Sequence, residues 1–556
     1  MAAGGKMRCS TAILFVLISV QVSCGQLTGQ LQGTLGPGVF TVVGDIWVDD
    51  IFVGYDLTLL PATTFHFVGP YRFYISGQLL AEGTASDSIV FTTDTLVNPT
   101  RWGGLRFVGP GGGSRLAYCL VENGHSEGLE PYDCGGGVYC EAYDPVFEHC
   151  TVRNNWAEHY GGGVYCHLSA ARFSHCAISG NLTPSGSGAG VCCSASSSTL
   201  SYCTISGNTA WSSGGGLLCT NSSDTLTNCT ISGNHALDGG GVWCYNALSP
   251  TFRNCVIADN TAERYGGGAC CKYSSSPTFT DCAVNGNTAI SWYGGGVCCD
   301  WSWPVFTNCT INDNRAPDGG GVYCCNYASP AITHCTISRN RAGSVGGGVY
   351  CFDNSEPVIK GTIVAFSVRE GIFFANSAGS QVEYCDFFGN SSGNITFWDS
   401  DPSHGPPGIG VLDTVNASGD SCDVYKNISV NPIFADTSAN DFHLTDYSPC
   451  IGAADPVGAP NDDFEGDLRP NPPGTNPDIG MDEHWLSNPV GRLVITMVNG
   501  NAVLYWPSFA SSYNIYGATT PYTAGTQLTG GVIGTTWTDI NTSSRPSPYF
   551  YYVRGQ

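Results

Sequence analysis

Residues 239–262 read GGGVWCYNALSPTFRNCVIADNTA, and between Gly135 and Cys351 the chain repeats this pattern nine times. The glycine triplet recurs at Gly135, Gly161, Gly188 (as Gly-Ala-Gly), Gly214, Gly239, Gly266, Gly294, Gly319 and Gly346, at spacings of 25 to 28 residues. A period of that length marks a solenoid. Apolar residues alternate over short runs such as Val138 and Cys140, are β-branched, aromatic or thiol, and follow no 3.6-residue stripe. The units are therefore strands.

Three short strands per unit can be read: Gly-Val-Tyr-Cys, the Pro-Thr-Phe run (Pro250, Phe252; Pro277, Phe279) and Cys-Thr-Ile (Cys229, Ile231; Cys309, Ile311). Phe252 and Cys255 lie three apart, which breaks a two-residue alternation and predicts a corner between the second and third strands. The coil is expected to be roughly triangular. One coil cannot bury its inward side chains alone, whereas stacked coils bury Val, Cys, Phe and Ile in columns, so the fold is a parallel β-helix. Asn155, Asn181, Asn208, Asn234, Asn260, Asn287, Asn314 and Asn340 each fall five residues after the third-strand cysteine. Asparagine tolerates the left-handed conformation of a tight corner and its amide can bond to the next coil, so these predict a structural ladder.

Less regular coils extend the stack. Upstream, Ile46/Val48, Phe65/Phe67, Phe73/Ile75, Ile89/Phe91 and Leu105/Phe107 alternate; downstream, Ile372/Phe374, Ile395/Phe397 and Ile409/Val411 do the same. With residues from about 40 to 484 included, the reading gives roughly 16 or 17 coils and a rod on the order of 80 Å. The expected organisation is an export signal over 1–25, a cap and irregular coils over 26–115, regular β-helix over 116–430, a closing segment and linker over 431–488, and a small β-sandwich over 489–556.

Residues 7–25 have the tripartite form of an export signal: Lys6 and Arg8, an apolar run from Ala12 to Val22, then Ser23, Cys24 and Gly25. A lipidated Cys24 is the alternative, although Gln21 stands where a lipobox usually has Leu. No other segment is apolar enough to span a bilayer. The formal charge of −24, from 21 Lys and Arg against 45 Asp and Glu, opposes nucleic acid and anionic membranes as partners. Charged residues are only 12% of the chain, which leaves a surface of hydroxyls, amides and aromatics suited to sugars or other neutral surfaces.

Most of the 28 cysteines fall in two periodic sets that occupy inward positions, one closing the first strand (Cys140 to Cys351) and one opening the third (Cys150 to Cys335). Parallel Cβ vectors in stacked strands suit an S–S torsion poorly, which favours packed thiol columns over a disulfide framework. Cys270 and Cys298 replace the outward Tyr in adjacent coils and form the best pair for a surface bridge. No close CxxC pair supports zinc.

The arrangement Ile205 to Ala210 followed by Gly214 to Leu218 resembles the repeats of right-handed parallel β-helix surface proteins, including the polymorphic outer membrane protein type. The resemblance covers residues 116–390 and implies fold, not activity. The stretch Asn431 to Asp436, Asp441 to Leu444, Ser448 to Gly452, Asp467 to Pro470 and Asp478 to Gly480 resembles the closing segment of exported bacterial β-helix proteins with assorted C-terminal anchors, the choice-of-anchor Q type. It implies a bacterial secreted or cell-surface protein. Ala502 to Trp506, Tyr513 to Tyr516, Trp537 to Asp539 and Tyr549 to Val553 resemble strands of a fibronectin type III-like sandwich with Trp506 as core tryptophan. The ending at Gln556 leaves no room for the membrane barrel of an autotransporter.

Polygalacturonase signatures are absent: there is no Asn-Thr-Asp, Gly-His-Gly or Arg-Ile-Lys. Aromatic residues instead gather around the first strand, where Tyr139, Tyr165, Trp243, Tyr265, Trp292, Tyr293, Trp301, Tyr323 and Tyr350 would line a face for stacking sugar rings, or would simply stack coil on coil. Tyr245, Tyr273, Trp303 and Tyr327 lie in the turns beyond it. Asp238, Glu263 and Asp318, just ahead of the glycines, are the candidates for acid chemistry, the first two on neighbouring coils. Asp462, Asp463, Glu465 and Asp467 surround Gly466 as a candidate calcium loop that lacks the closing Glu of an EF-hand. No other cofactor is expected. The leading expectation is an exported, non-catalytic bacterial rod that binds a polysaccharide or cell-surface component through an aromatic face. The alternatives are a polysaccharide lyase or glycoside hydrolase, and a purely structural or adhesive rod.

Overall fold

The computed structural model describes residues 24–484 apart from 32, 49–55, 111, 130, 417–419, 447 and 472, and then 494–498, 501–505, 513–518, 526–534, 536–539 and 550–555. Most of the expected export signal and Trp506 lie outside these residues.

The coil that begins at Gly239 shows how the repeat folds. Gly239 turns the chain at φ +60°, and a Cβ on Gly240 or Gly241 would lie 2.4 Å from the Thr261 carbonyl oxygen or 2.6 Å from that of Gly268. The first glycine thus serves conformation and the other two serve close approach of the next coil. Val242–Tyr245 forms a first face, Thr251–Arg253 a second and Val256–Ala258 a third. The expected corner between the second and third lies at Asn254, which adopts φ +50°. The coil is not triangular, because Thr261–Tyr265 forms a fourth face that the sequence reading passed over. That face is easily missed: most of its strands have two residues, and its inward positions hold small side chains such as Ala236, Ala262 and Ala289.

Coil-to-coil pairing is parallel, and it is in register, for example Val242↔Ala269, Phe252↔Phe279 and Ile257↔Val284, apart from shifts at Leu27/Gly29, Gly112/Arg115 and Ala236/Asp238. The second face is a 14-stranded sheet and the fourth a 9-stranded one. The first and third faces count as one 28-stranded sheet because Gly38–Val48 pairs with Thr63–Phe67 through one half and with Phe73–Ile75 through the other. The stack therefore has about 14 coils and a length on the order of 65 Å, shorter than the sequence reading gives. It ends at Ile395–Phe397; Ile409 and Val411 belong to no strand.

Inside, Phe147–Phe173, Phe252–Phe279 and Phe279–Phe306 stack at 4.6 to 4.8 Å between ring centres. Every described cysteine from Cys119 to Cys450 is a buried free thiol. Burial pushes the Cys385 thiol up to about 12, so it packs as a small neutral hydrophobe.

The eight asparagines form one hydrogen-bonded ladder. Each Nδ2 donates to Oδ1 of the next, from Asn155 to Asn340, at 2.9 to 3.1 Å, and each also donates to a carbonyl of the preceding coil, as Asn234 does to Ile205. The left-handed residue is not the ladder asparagine but the one before it: Asn154, Gly180, Gly207, Gly233, Asp259, Gly286, Asp313 and Arg339, all near φ +60°. The turn residue aims the amide inward, so conformation and hydrogen bonding are divided between two positions.

Residues 431–484 do not coil. They lie along the flank of the stack, where Asn308 Nδ2 donates to Asp462 O at 2.8 Å, Gly480 N to Gly361 O at 2.8 Å, and Met481 N to the Thr336 hydroxyl at 3.2 Å. Their apolar residues Leu444, Cys450, Ile451 and Ile479 share a buried cluster with Ile363 and Ala365. Arg469, fully buried, is ion-paired to Glu483 at 3.4 Å and donates to carbonyls of Asp478 and Gly480. Beyond residue 493, two three-stranded antiparallel sheets contain Val494–Val498, Asn501–Tyr505 and Thr536–Asp539, and Tyr513–Ala518, Thr526–Val532 and Phe550–Gly555. Ala502, Leu504, Tyr513, Ile515 and Val553 form one buried cluster between them. No helix of the described residues is long and apolar enough to cross a membrane.

Candidate functional site

The outward positions of the first face do not make an open surface. Tyr139, Tyr165, Trp243, Tyr323 and Tyr350 are 3 to 7% exposed, and with Cys192, Cys270 and Cys298 they build a second packed column outside the sheet. Their rings stack on one another, Tyr139 on Tyr165 at 5.4 Å and Tyr293 on Tyr323 at 4.5 Å. Of the nine aromatic candidates, Trp292 and Trp301 are exposed, while Tyr265 and Tyr293 are half-buried. Cys270 and Cys298 pair in register but are buried within this column as free thiols, so they are not at the surface.

Exposed rings gather instead at the corner that follows the first strand. Tyr245, Tyr273, Trp301 and Tyr327 lie at this corner on four successive coils, 43 to 58% exposed. Tyr273 and Trp301 are register equivalents, whereas Tyr245 ends its strand in register with Lys272 and Tyr327 comes two residues after Cys325, the partner of Asp300. Tyr245 and Tyr273 lie 5.3 Å apart, Trp301 and Tyr327 6.0 Å. Tyr273, Trp301 and Tyr327 have left-handed backbone, which turns their rings out of the corner. The result is a ridge of aromatic faces along the rod axis.

The three acids do not converge. Asp238 is buried and held by both arms of Arg264, at 3.0 and 2.6 Å, and the guanidinium in turn covers Trp292 and Tyr265. Glu263 bonds to His235 at 3.0 Å, and Asp318 accepts from Val345 N at 3.4 Å. Lys272 sits over Tyr265 at 4.0 Å and pairs with Asp300 at 3.4 Å. Asp238 and Asp300 are thus matched by cations and Glu263 by an imidazole, while Asp318 meets only a backbone N–H among the described residues.

Two of the calcium-loop acids, Asp463 and Glu465, meet different partners. Asp463 is buried and its Oδ1 accepts from the backbone of Glu465, Gly466 and Asp467 at 2.8 to 3.0 Å, while its Oδ2 accepts from Glu483 N. Asp462 contributes its carbonyl to Asn308. Glu465 turns toward His443 and Asp482, and these three offer ligand atoms within 4.8 Å of one another. Burial pushes Glu465 up to about 7. A set with an imidazole suits zinc better than calcium. His443 went unread because it lies 22 residues before Glu465.

A groove of about 730 Å³ opens on the fourth face, and sequence reasoning missed it as well. Its lining contains Arg315, Arg341 and Arg369, and no acid. The legible signal was the outward position after each ladder asparagine, which reads Thr209, His235, Thr261, Thr288, Arg315, Arg341 along the stack.

With the geometry in view, comparison with known proteins gives a fold. The family model described as the right handed beta helix region matches residues 173–302 and 287–405. No curated protein sequence matches the chain. Among solved structures, that of pectate lyase Pel9A is similar over 76% of this chain and 88% of that one, at 13% identity and a TM-score of 0.29, a likeness too slight to bear on activity. The matched repeats and the in-register parallel coils make this chain a right-handed parallel β-helix repeat protein.

Proposed function

We propose that this protein is an exported, non-catalytic rod that binds glycans along the ridge of Tyr245, Tyr273, Trp301 and Tyr327. The observation that carries the reading is the repetition of exposed rings on four successive coils, since solvent-facing aromatics in a contiguous row are costly unless they meet a partner. Flat rings offer apolar faces to the C–H faces of sugars, and the surrounding hydroxyls and amides match their polar rims. The export-like residues 7–25 and the closing segment favour a bacterial secreted or surface location, with the antiparallel sheets beyond residue 493 as a fibronectin-like appendage.

A lyase or hydrolase is the alternative, and the pairing of Asp238 with Arg264 and of Glu263 with His235 argues against it. The test is retention on gels of neutral glucans, xylans and mannans together with assay for new reducing ends and unsaturated products. Tyr273→Ala/Trp301→Ala is expected to weaken retention at least about tenfold with an unchanged melting temperature. Equal retention sinks the ridge, and product formation that disappears in Asp238→Asn makes the protein an enzyme.

A further inference from the structure

The groove on the fourth face is chemically unlike the rest of this acidic molecule. Elsewhere the stacked registers bring opposite charges together: Arg115 with Glu82 and Glu148, Arg153 with Glu122, Arg264 with Asp238, Lys272 with Asp300, and Lys360 with Glu383. In the groove Arg315 stacks directly on Arg341 in register, both are exposed, and neither has a carboxylate partner among the described residues. Arg369, beside the next coil, has Nη2 and Nε pinned to the Gly343 carbonyl, which fixes its guanidinium at the rim. Like charges directly opposite across two strands repel, and a chain with 45 acids supplies none here.

The groove extends from Thr288 at one end to Ser391 and Ser392 at the other, over about five coils, or roughly 20 Å. Its floor is of small residues and its ends carry hydroxyls. The arginine column repeats at one coil, about 4.8 Å, close to the length of one pyranose unit in an extended chain. A polymer with one anion per ring would therefore keep step with it.

We infer that this groove binds an acidic polysaccharide, whose carboxylate or sulfate groups are held by Arg315, Arg341 and Arg369. Guanidinium forks match such groups with two parallel hydrogen bonds. Nucleic acid is disfavoured as the occupant, because a densely charged strand continuing past the groove meets a molecule of formal charge −24. The site lies on a different face from the aromatic ridge and stands independently of it.

The test uses the full chain and measures affinity for alginate, dextran sulfate, neutral dextran and single-stranded DNA at two salt concentrations, in the wild type, Arg315→Gln/Arg341→Gln, and Trp301→Ala. Both substituted arginines are exposed, and unchanged melting confirms the fold. Expected is binding to alginate, dextran sulfate or both above dextran, weakened at least about tenfold and with shallower salt dependence in the arginine variant, and unchanged in Trp301→Ala. Failure to bind both acidic polymers, equal binding by the arginine variant, DNA bound as tightly as the sugars, or loss in Trp301→Ala alone would each overturn the inference.

Discussion

At the residue scale, the ladder asparagine satisfies more backbone and amide groups than any other repeated side chain. Asn234 Oδ1 accepts from both the backbone N and Nδ2 of Asn208, while its own Nδ2 donates to Ile205 and Asn260, all in a dry interior. Asn234→Ala removes all four bonds and leaves the buried Asn208 N without its acceptor, while Asn208 Nδ2 keeps Ile178 O and Asn260 Oδ1 keeps Asn234 N. A loss of about 3 kcal/mol or more is expected, read as a shift in the denaturant midpoint. Thr204→Ala, at an exposed outward position of a third-face strand, is the control and should change little. The ladder was legible because burial and period coincide in one residue type. Which residue takes the left-handed turn was not, since Gly180, Asp259 and Arg339 share that task without a common side chain.

At the scale of the element, the faces differ in how much of themselves they print in the sequence. The third carries a cysteine and a valine or isoleucine in every regular coil, and the first a cysteine with a valine, replaced only by Leu217 and Ala269, so periodicity alone reveals them. The fourth is two residues long with an alanine inside, and alanine carries no strand signal. The missed groove follows from that, since its arginines stand on the face that was not recognised. Burial of the outer tyrosines was missed for another reason: alternation says only that Tyr323 points away from the core, not that Tyr293 and Tyr350 lie against it.

The closing segment offers a prediction of its own. Asp386 on the third face is fully buried, accepts from Val430 N at 3.1 Å and from the Cys450 thiol at 3.4 Å, and burial raises it to about 8. Because the folded state holds this proton more tightly than the unfolded chain, the segment is favoured at low pH and loses stability as the pH rises from about 4 through about 8. Asp386→Asn, which keeps an acceptor for Val430, should flatten this dependence in melts between pH 5 and 9. An unchanged slope would assign it to other groups.

For the whole molecule, the shared register of the coils means that each is bounded by the same contacts above and below. Excision of residues 188–213 would set Gly161 beside Gly214 and Asn181 beside Asn234. Asp224, which accepts from Ser196 Oγ and Ser198 N, would meet Ser169 Oγ and Ala171 N in their places. The shortened chain is expected to fold cooperatively, with a rod about 4.8 Å shorter by small-angle scattering. A molten product would show that the coils are less interchangeable than their pairing.

The left-handed residues that turn each corner have a further consequence. Because the regular coils bend at the same four places, chain added or removed in a turn alters what the rod displays without altering its pitch. Repeat lengths of 25 to 28 residues already record this freedom. The molecule behaves as a ruler whose divisions are fixed by asparagine and glycine, and whose markings, aromatic on one edge and cationic on another, can be rewritten one coil at a time.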